Sequence, residues 1–311
     1  MKVVVTTFRG FAVTSAVLAF AIAVLGSWVR INGAGLTCPD WPLCHGEIVP
    51  SLHGGVVLEW SHRLVAFLES FVVLGAIVTG FRERKRIAGV TPALLALGVI
   101  FAIQVALGGA TVILSNSPLS VMLHWGMGMA LLATLTALAV LSIVAPADRP
   151  LRGSDAAPAL FLTAGFAFVT MCLGAYVSSS YAGLACATFP ACDGSLLGHG
   201  SAQMLQMSHR IAAGAFALVA VFATGLTFAS ATPRVRAFAL AGVALIVVQI
   251  GLGAANVIWQ LPTAMREAHA ANAGATFLAF VVAAVLATLE PERIPTASGA
   301  RAPSRYMAPN A

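Results

Sequence analysis

Eight long apolar stretches recur along this chain of 311 residues, at roughly 10–31, 57–80, 92–114, 119–145, 158–180, 202–230, 237–260 and 265–289. A bilayer core about 30 Å thick is crossed by a helix of about 20 apolar residues. In lipid the backbone must satisfy its own hydrogen bonds, so each stretch is expected to be a helix. Only 9% of the residues are charged and 59% are hydrophobic, whereas a soluble domain carries about 25% charged residues. The fold class that follows is an all-α integral membrane protein with eight transmembrane helices. Abundant glycine and alanine within the stretches suit helices that approach closely in lipid.

The first stretch follows Lys2 and Arg9 as a signal peptide would. It exceeds a typical h-region and runs into a loop that is matched later in the chain, so it reads as a retained helix. The segment 291–311, rich in Pro, Ala, Ser and Arg, reads as a disordered cytoplasmic tail. The net charge of +6 does not point to nucleic acid, because topology accounts for it. Lys2, Arg9, the FRERKR run at 81–86, Arg149, Arg152, Arg234, Arg236, Arg293, Arg301 and Arg305 fall on one side of an eight-span arrangement. By the positive-inside rule that side, with both termini, is cytoplasmic. Arg30, Arg63, Arg210 and Arg266 are the exceptions, on or near the opposite side.

The chain is also internally repeated. GSWVRINGAGLTCPDWPLCHG from residue 26 matches GAYVSSSYAGLACATFPACDG from residue 174. After one deletion, EWSHR at 59–63 meets QMSHR at 206–210. QVALGGATVI at 104–113 meets QIGLGAANVI at 249–258, and the same offset lays His124 on His269. The expected organisation is two tandem four-helix bundles, 1–147 and 148–290. An even number of spans per copy gives both the same orientation, related by a pseudo-two-fold axis along the membrane normal.

In that arrangement His62, His124, His209 and His269 lie at similar depth near the outer ends of the second, fourth, sixth and eighth helices. Single histidines in membrane helices often serve as interhelical hydrogen-bonding glue. Four at repeat-equivalent positions suit the axial ligation of haem, whose iron offers two axial positions. Zinc would need further thiolate or carboxylate ligands at that level, and only Glu59 is there. Glu59 lies one turn before His62 on the same helix face. There a carboxylate can accept or relay protons, whereas the second copy has Gln206. Glu69, deeper on the same helix, reads either as part of a proton path or as part of a polar packing network.

Arg63 and Arg210 directly follow the histidines, either to pair with anionic groups such as haem propionates or to snorkel to headgroups. Cys38, Cys44, Cys186 and Cys192 occupy two extracytoplasmic loops, where disulfides can form. Four cysteines allow three pairings, and the repeated C-x5-C spacing favours Cys38–Cys44 and Cys186–Cys192. Cys186–Cys192 reads as a staple, and Cys38–Cys44 reads equally as a staple or as a pair for thiol–disulfide exchange beside the Glu59 site. Cys172 reads as inert packing. His45, His53 and His199 have no repeat partner and are expected to be solvated.

Taken together, EWSHR preceded by CPDWPLC, a second histidine at the head of the fourth helix, and a degenerate copy of all three resemble the haem A synthase family, in its cysteine-containing bacterial branch. The resemblance spans nearly the whole chain outside its tail. It implies a plasma-membrane enzyme that oxidises a methyl group of haem O to the formyl group of haem A for cytochrome oxidase. It further implies that His62 and His124 hold the substrate haem in the N-terminal half with Glu59 required for oxidation, and that His209 and His269 hold haem b in the C-terminal half. In that branch the resemblance gives Cys38 and Cys44 a part in activity. Haem O synthase is the physical partner that family logic suggests. Two other readings stay open on the residues alone: a di-haem b-type cytochrome passing electrons from quinol, and a transporter built on the tandem repeat.

Overall fold

The computed structural model describes residues 2–144 and 153–290. Arg149, Arg152 and the tail 291–311 lie outside the described residues. The chain forms eight long helices: α1 (Lys2–Ile31), α2 (Gly54–Glu83), α3 (Val90–Ile113), α4 (Pro118–Val144), α5 (Ala157–Ser179), α6 (Ser201–Ser230), α7 (Pro233–Ile258) and α8 (Thr263–Thr288). All eight are long and apolar enough to cross a bilayer. A single 3-10 turn, Ala182–Leu184, follows α5. Helix α2 extends beyond its apolar run to Glu83. Its polar last turn is held by an ion pair between Glu83 and Arg86 at 3.1 Å.

Local chemistry sets the joints. Prolines open α4 and α7, where a missing N–H is harmless because the first helical N–H groups have no intrahelical acceptor. The α3–α4 turn places Ser115 and Asn116 in the left-handed region, and the α7–α8 turn does the same with Gln260 and Leu261. In both, the second of these N–H groups donates back to a carbonyl five residues earlier. Asn116 N–H reaches the Thr111 oxygen at 2.7 Å, and Leu261 N–H reaches the Asn256 oxygen at 2.7 Å.

Helix α1 packs against α2 and α4, and α3 against α4. In the second half α5 packs against α6 and α8, and α7 against α8. The halves meet where α4 touches α5 and α8, and where α1 touches α8. Helices α4 and α8 are consequently the most buried of the eight, and α3 and α7 the least. Leu132, Leu135 and Leu138 of α4, with Phe280, Ala283, Ala284 and Ala287 of α8, are fully enclosed. The alanines let neighbouring backbones approach, which is what holds helices together where lipid offers no hydrophobic drive. Large apolar side chains such as Leu218 and Phe222 point outward from α6, as a lipid-facing surface requires.

A cavity lined by paired histidines

His62 and His209 are each eight residues into their helices, and His124 and His269 each six. At 1.5 Å per residue they lie about 12 Å and about 9 Å from the N-terminal ends of their helices. All four line one cavity of about 1870 Å³ that runs across both halves. A pocket for one small ligand usually measures about 300–1,000 Å³, so this space is ample for two bulky groups.

Each imidazole rests on a glycine of the preceding helix. A Cβ built on Gly26 would meet the His62 ring at 2.8 Å, and one on Gly174 would meet His209 at 2.9 Å. Gly108 and Gly253 stand in the same relation to His124 and His269, each at 3.3 Å. In each case the nearest ring atom is Cε1, so the glycine fixes which edge of the ring faces the cavity.

The cysteine loops fold alike. Cys38 and Cys44 are joined by a disulfide, as are Cys186 and Cys192, with Cα–Cα separations of 4.6 and 4.7 Å. An antiparallel bridge pairs Cys44 with Glu47, and another pairs Cys192 with Ser195. The Asp40 carboxylate accepts from the N–H groups of Gly46 at 2.8 Å and His45 at 2.6 Å. Those bonds, chiefly the one from Gly46, hold its carboxyl below the usual carboxylate range. At the matching place in the second loop the Thr188 hydroxyl accepts from Asp193 N–H.

Glu59 and Arg63 bind the first loop to α2. One Glu59 oxygen accepts from Cys38 N–H at 2.8 Å and from the Thr37 hydroxyl at 3.0 Å, while the other accepts from Arg63 at 2.6 Å. Arg63 also donates to the carbonyls of Cys38, Asp40 and Leu43. In the second half Gln206 accepts from Cys186 N–H at 2.6 Å and donates to the Gly183 carbonyl. Arg210 donates through one nitrogen to the carbonyls of Thr188, Pro190 and Ala191, and its Nη2 is buried without a partner. The two arginines therefore clamp loop carbonyls, a role the sequence reading did not include, and both still line the cavity.

The donor set was tested against a haem. Metal–imidazole bonds of about 2 Å, with a ring nitrogen about 1.1 Å from its centroid, put two axial rings about 6.3 Å apart, centroid to centroid. The His209 and His269 centroids are 6.5 Å apart. His209 Nδ1 lies 3.0 Å from the Thr170 carbonyl, a bond that leaves Nε2 free for a metal. His62, His124 and His269 have buried, unpartnered Nδ1 atoms, and all three residues line the cavity. At His269, Gln249 donates to Nε2 at 3.2 Å, a contact that ligation would replace. Among the described residues no three His, Cys, Asp or Glu side chains gather as a bare ion would require. The residues fit a haem.

Comparison with known proteins agrees with that chemistry. The family model for COX15-CtaA, cytochrome oxidase assembly protein, matches residues 9–56 and 53–281. The chain belongs to the COX15-CtaA family. A protein of Bacillus pumilus named heme A synthase is 30% identical over 66% of this chain and 70% of its own length. The heme A synthase of Geobacillus thermodenitrificans is 26% identical over 97% and 98%, and that of Shewanella oneidensis 27% over 84% and 90%. The two cysteine pairs fit the cysteine-containing branch of COX15-CtaA proteins.

Of the other sequence-selected residues, His45, His53, His199 and Cys172 fall away from the cavity. His45, His53 and His199 are exposed, and His45 Nε2 lies 2.9 Å from the Thr37 carbonyl. Cys172 is half-buried, and its Sγ would lie 3.0 Å from a Cβ built on Gly126. Glu69 is buried at the cavity wall with one oxygen unpartnered. The glycines under the rings escaped the sequence reading, although Gly26 and Gly174, and Gly108 and Gly253, coincide in the repeat alignment.

Proposed function

We propose that this chain is a haem A synthase, oxidising a methyl substituent of haem O to the formyl group of haem A. The observation that carries this reading is the pair of repeat-related histidine couples on one cavity, whose lining carboxylates, Glu59 and Glu69, both belong to the first half. The substrate haem is assigned to His62 and His124 in 1–147, and haem b to His209 and His269 in 148–290. The halves are read as tandem bundles about a pseudo-two-fold axis. Their like turns, loops and helix pairings support that.

Methyl to formyl is a four-electron oxidation, R–CH3 + H2O → R–CHO + 4 H+ + 4 e−, with the electrons passed to an oxidant outside the chain. Two successive hydroxylations replace two C–H bonds, and the resulting geminal diol loses water to give the aldehyde. A haem b in the second half would carry electrons one at a time. The chain's own residues position and exclude. His62 and His124, backed by Gly26 and Gly108, fix the substrate's depth. Glu59, enclosed by the first cysteine loop, serves as the proton acceptor at the substrate edge. The disulfide-stapled loops cover the cavity at their end. Cys38–Cys44, hydrogen-bonded through its backbone to Glu59, is the pair for which a redox part is proposed. By the positive-inside distribution the termini are cytoplasmic and the cysteine loops extracytoplasmic. The protein would sit in a bacterial plasma membrane, take haem O laterally from lipid, and receive it from a haem O synthase.

The test is to extract haems from cells that make haem O, with and without this protein. Haem A should appear only with it. A folded, haem-loaded protein that leaves haem O unchanged would reject the assignment in favour of a di-haem cytochrome, which leaves the Glu59/Gln206 difference without a role. A purified protein with no Soret band would favour a transporter.

A further inference from the structure

Four arginines break the charge asymmetry of the chain. Arg63 and Arg210 clamp loop carbonyls, Arg210 through one nitrogen with its Nη2 unpartnered. Arg30 and Arg266 clamp neither cysteine loop. Arg30 is in the last turn of α1 and Arg266 in the first turn of α8, the two helices that meet at the seam between halves. Both line the cavity, and Ile31, whose carbonyl Arg266 meets, adjoins Arg30 in the chain. Arg30 donates to the Ser178 hydroxyl and Arg266 to the Ile31 carbonyl at 3.4 Å. Neither has a carboxylate partner, because the salt bridges among the described residues are Glu59–Arg63 and Glu83–Arg86. The adjoining Glu267 makes no salt bridge with either among the described residues, and both its carboxylate oxygens are buried without a hydrogen-bond partner. Two adjacent cations within a membrane bundle are expensive unless an anion joins them.

Their position says which anion. Arg30 follows Gly26, the glycine under His62, by four residues, and Arg266 precedes His269 by three. Each cation therefore lies about one turn, about 5 Å, from the level of an axial histidine. Both displacements run toward the cysteine-loop end. An iron porphyrin carries its two carboxylates on one edge, beyond the ring that the histidines hold. We propose that Arg30 and Arg266 form a carboxylate seat at the seam, taking porphyrin propionates from the two haem sites and orienting both macrocycles with their anionic edges toward the loops. This rests on the haem reading of the cavity. Neither arginine has a repeat counterpart, since Ser178 and Val121 stand at the matching positions, so a seat shared between the halves needs only one copy of each.

The experiment titrates detergent-purified protein, made in haem-deprived cells, with haem b and with haem b dimethyl ester, following the Soret band. Wild type should bind haem b more tightly than the ester. R30Q and R266Q should each weaken haem b binding by about 10- to 100-fold, the scale of a lost charge-assisted bond, while binding the ester as wild type does. R30K should retain part of the preference, and R82Q, on exposed Arg82, all of it. Equal weakening for both ligands would show a merely structural role and overturn the seat. So would a wild type indifferent to esterification. A wild type that binds neither ligand would instead sink the haem reading itself, and the seat with it.

Discussion

The carboxylate of Glu59 accepts a hydrogen bond from the backbone N–H of Cys38 at 2.8 Å, which ties the acid that Gln206 replaces in the second copy to the first disulfide loop. Gln206 does the same for Cys186 at 2.6 Å. The loop-holding function is thus common to both halves, and what differs is charge. Glu59 has an ion pair with Arg63, and Gln206 offers Arg210 no counterpart.

That comparison makes Glu59→Gln a clean probe. The amide oxygen can still accept from Cys38, so the loop and its disulfide should persist, as they do around Gln206. Haem content should stay near wild type, while haem O oxidation falls by about 100-fold or more, the usual weight of a general base. Chromatography of extracted haems reads the second quantity, and the Soret absorbance of purified protein the first. Normal haem A production by the variant would remove Glu59 from the chemistry.

Arg63→Ala and Arg210→Ala should differ in stability. Removing Arg63 strands the Glu59 carboxylate, whose side chain is only 5% exposed. Breaking a buried pair from one side costs about 3–5 kcal/mol. Removing Arg210 frees three carbonyls but leaves no buried acid, so its loss should be smaller. Thermal unfolding in detergent measures both, and equal losses would contradict the asymmetry.

Gly26→Ala and Gly174→Ala place a methyl group 2.8–2.9 Å from an imidazole atom. The ring must move, and a ligand displaced by even a few tenths of an ångström no longer meets the iron axially. Each variant should lose the haem of its own half, halving haem per protein. Gly10→Ala and Gly165→Ala, on the same two helices with nothing within 4 Å of the added carbon, should keep both. Haem-to-protein ratios decide the matter.

Asp40 gives a pH dependence for the first loop. Its carboxyl is held low by the Gly46 and His45 N–H groups. Its contribution is therefore fully present above the ordinary value of 3.8 and lost as pH falls through the lower folded value. Phosphine reduction of Cys38–Cys44 should be faster in Asp40→Asn than in wild type at pH 7. The two rates should converge only once pH falls below the lowered folded value. Identical rates at pH 7 would show that Asp40 does not order the loop.

The sequence by itself determined the eight spans, because lipid forces long apolar runs into helices. It also determined the doubling of histidines and cysteine loops, because a fixed offset aligns them residue by residue. Tertiary structure decided the partners. Nothing local in EWSHR shows that Arg63 turns to the carbonyls of Cys38, Asp40 and Leu43, or that Glu59 reaches back 21 residues to Cys38. Gly26 reads as one small residue among many until α2 lays His62 across it. Arg30 and Arg266 are 236 positions apart and lack repeat mates. An internal alignment pairs equivalent positions, but these two arginines stand on α1 and α8, which are not equivalent and meet between the halves. Only the packing of those two helices brings the cations to one place.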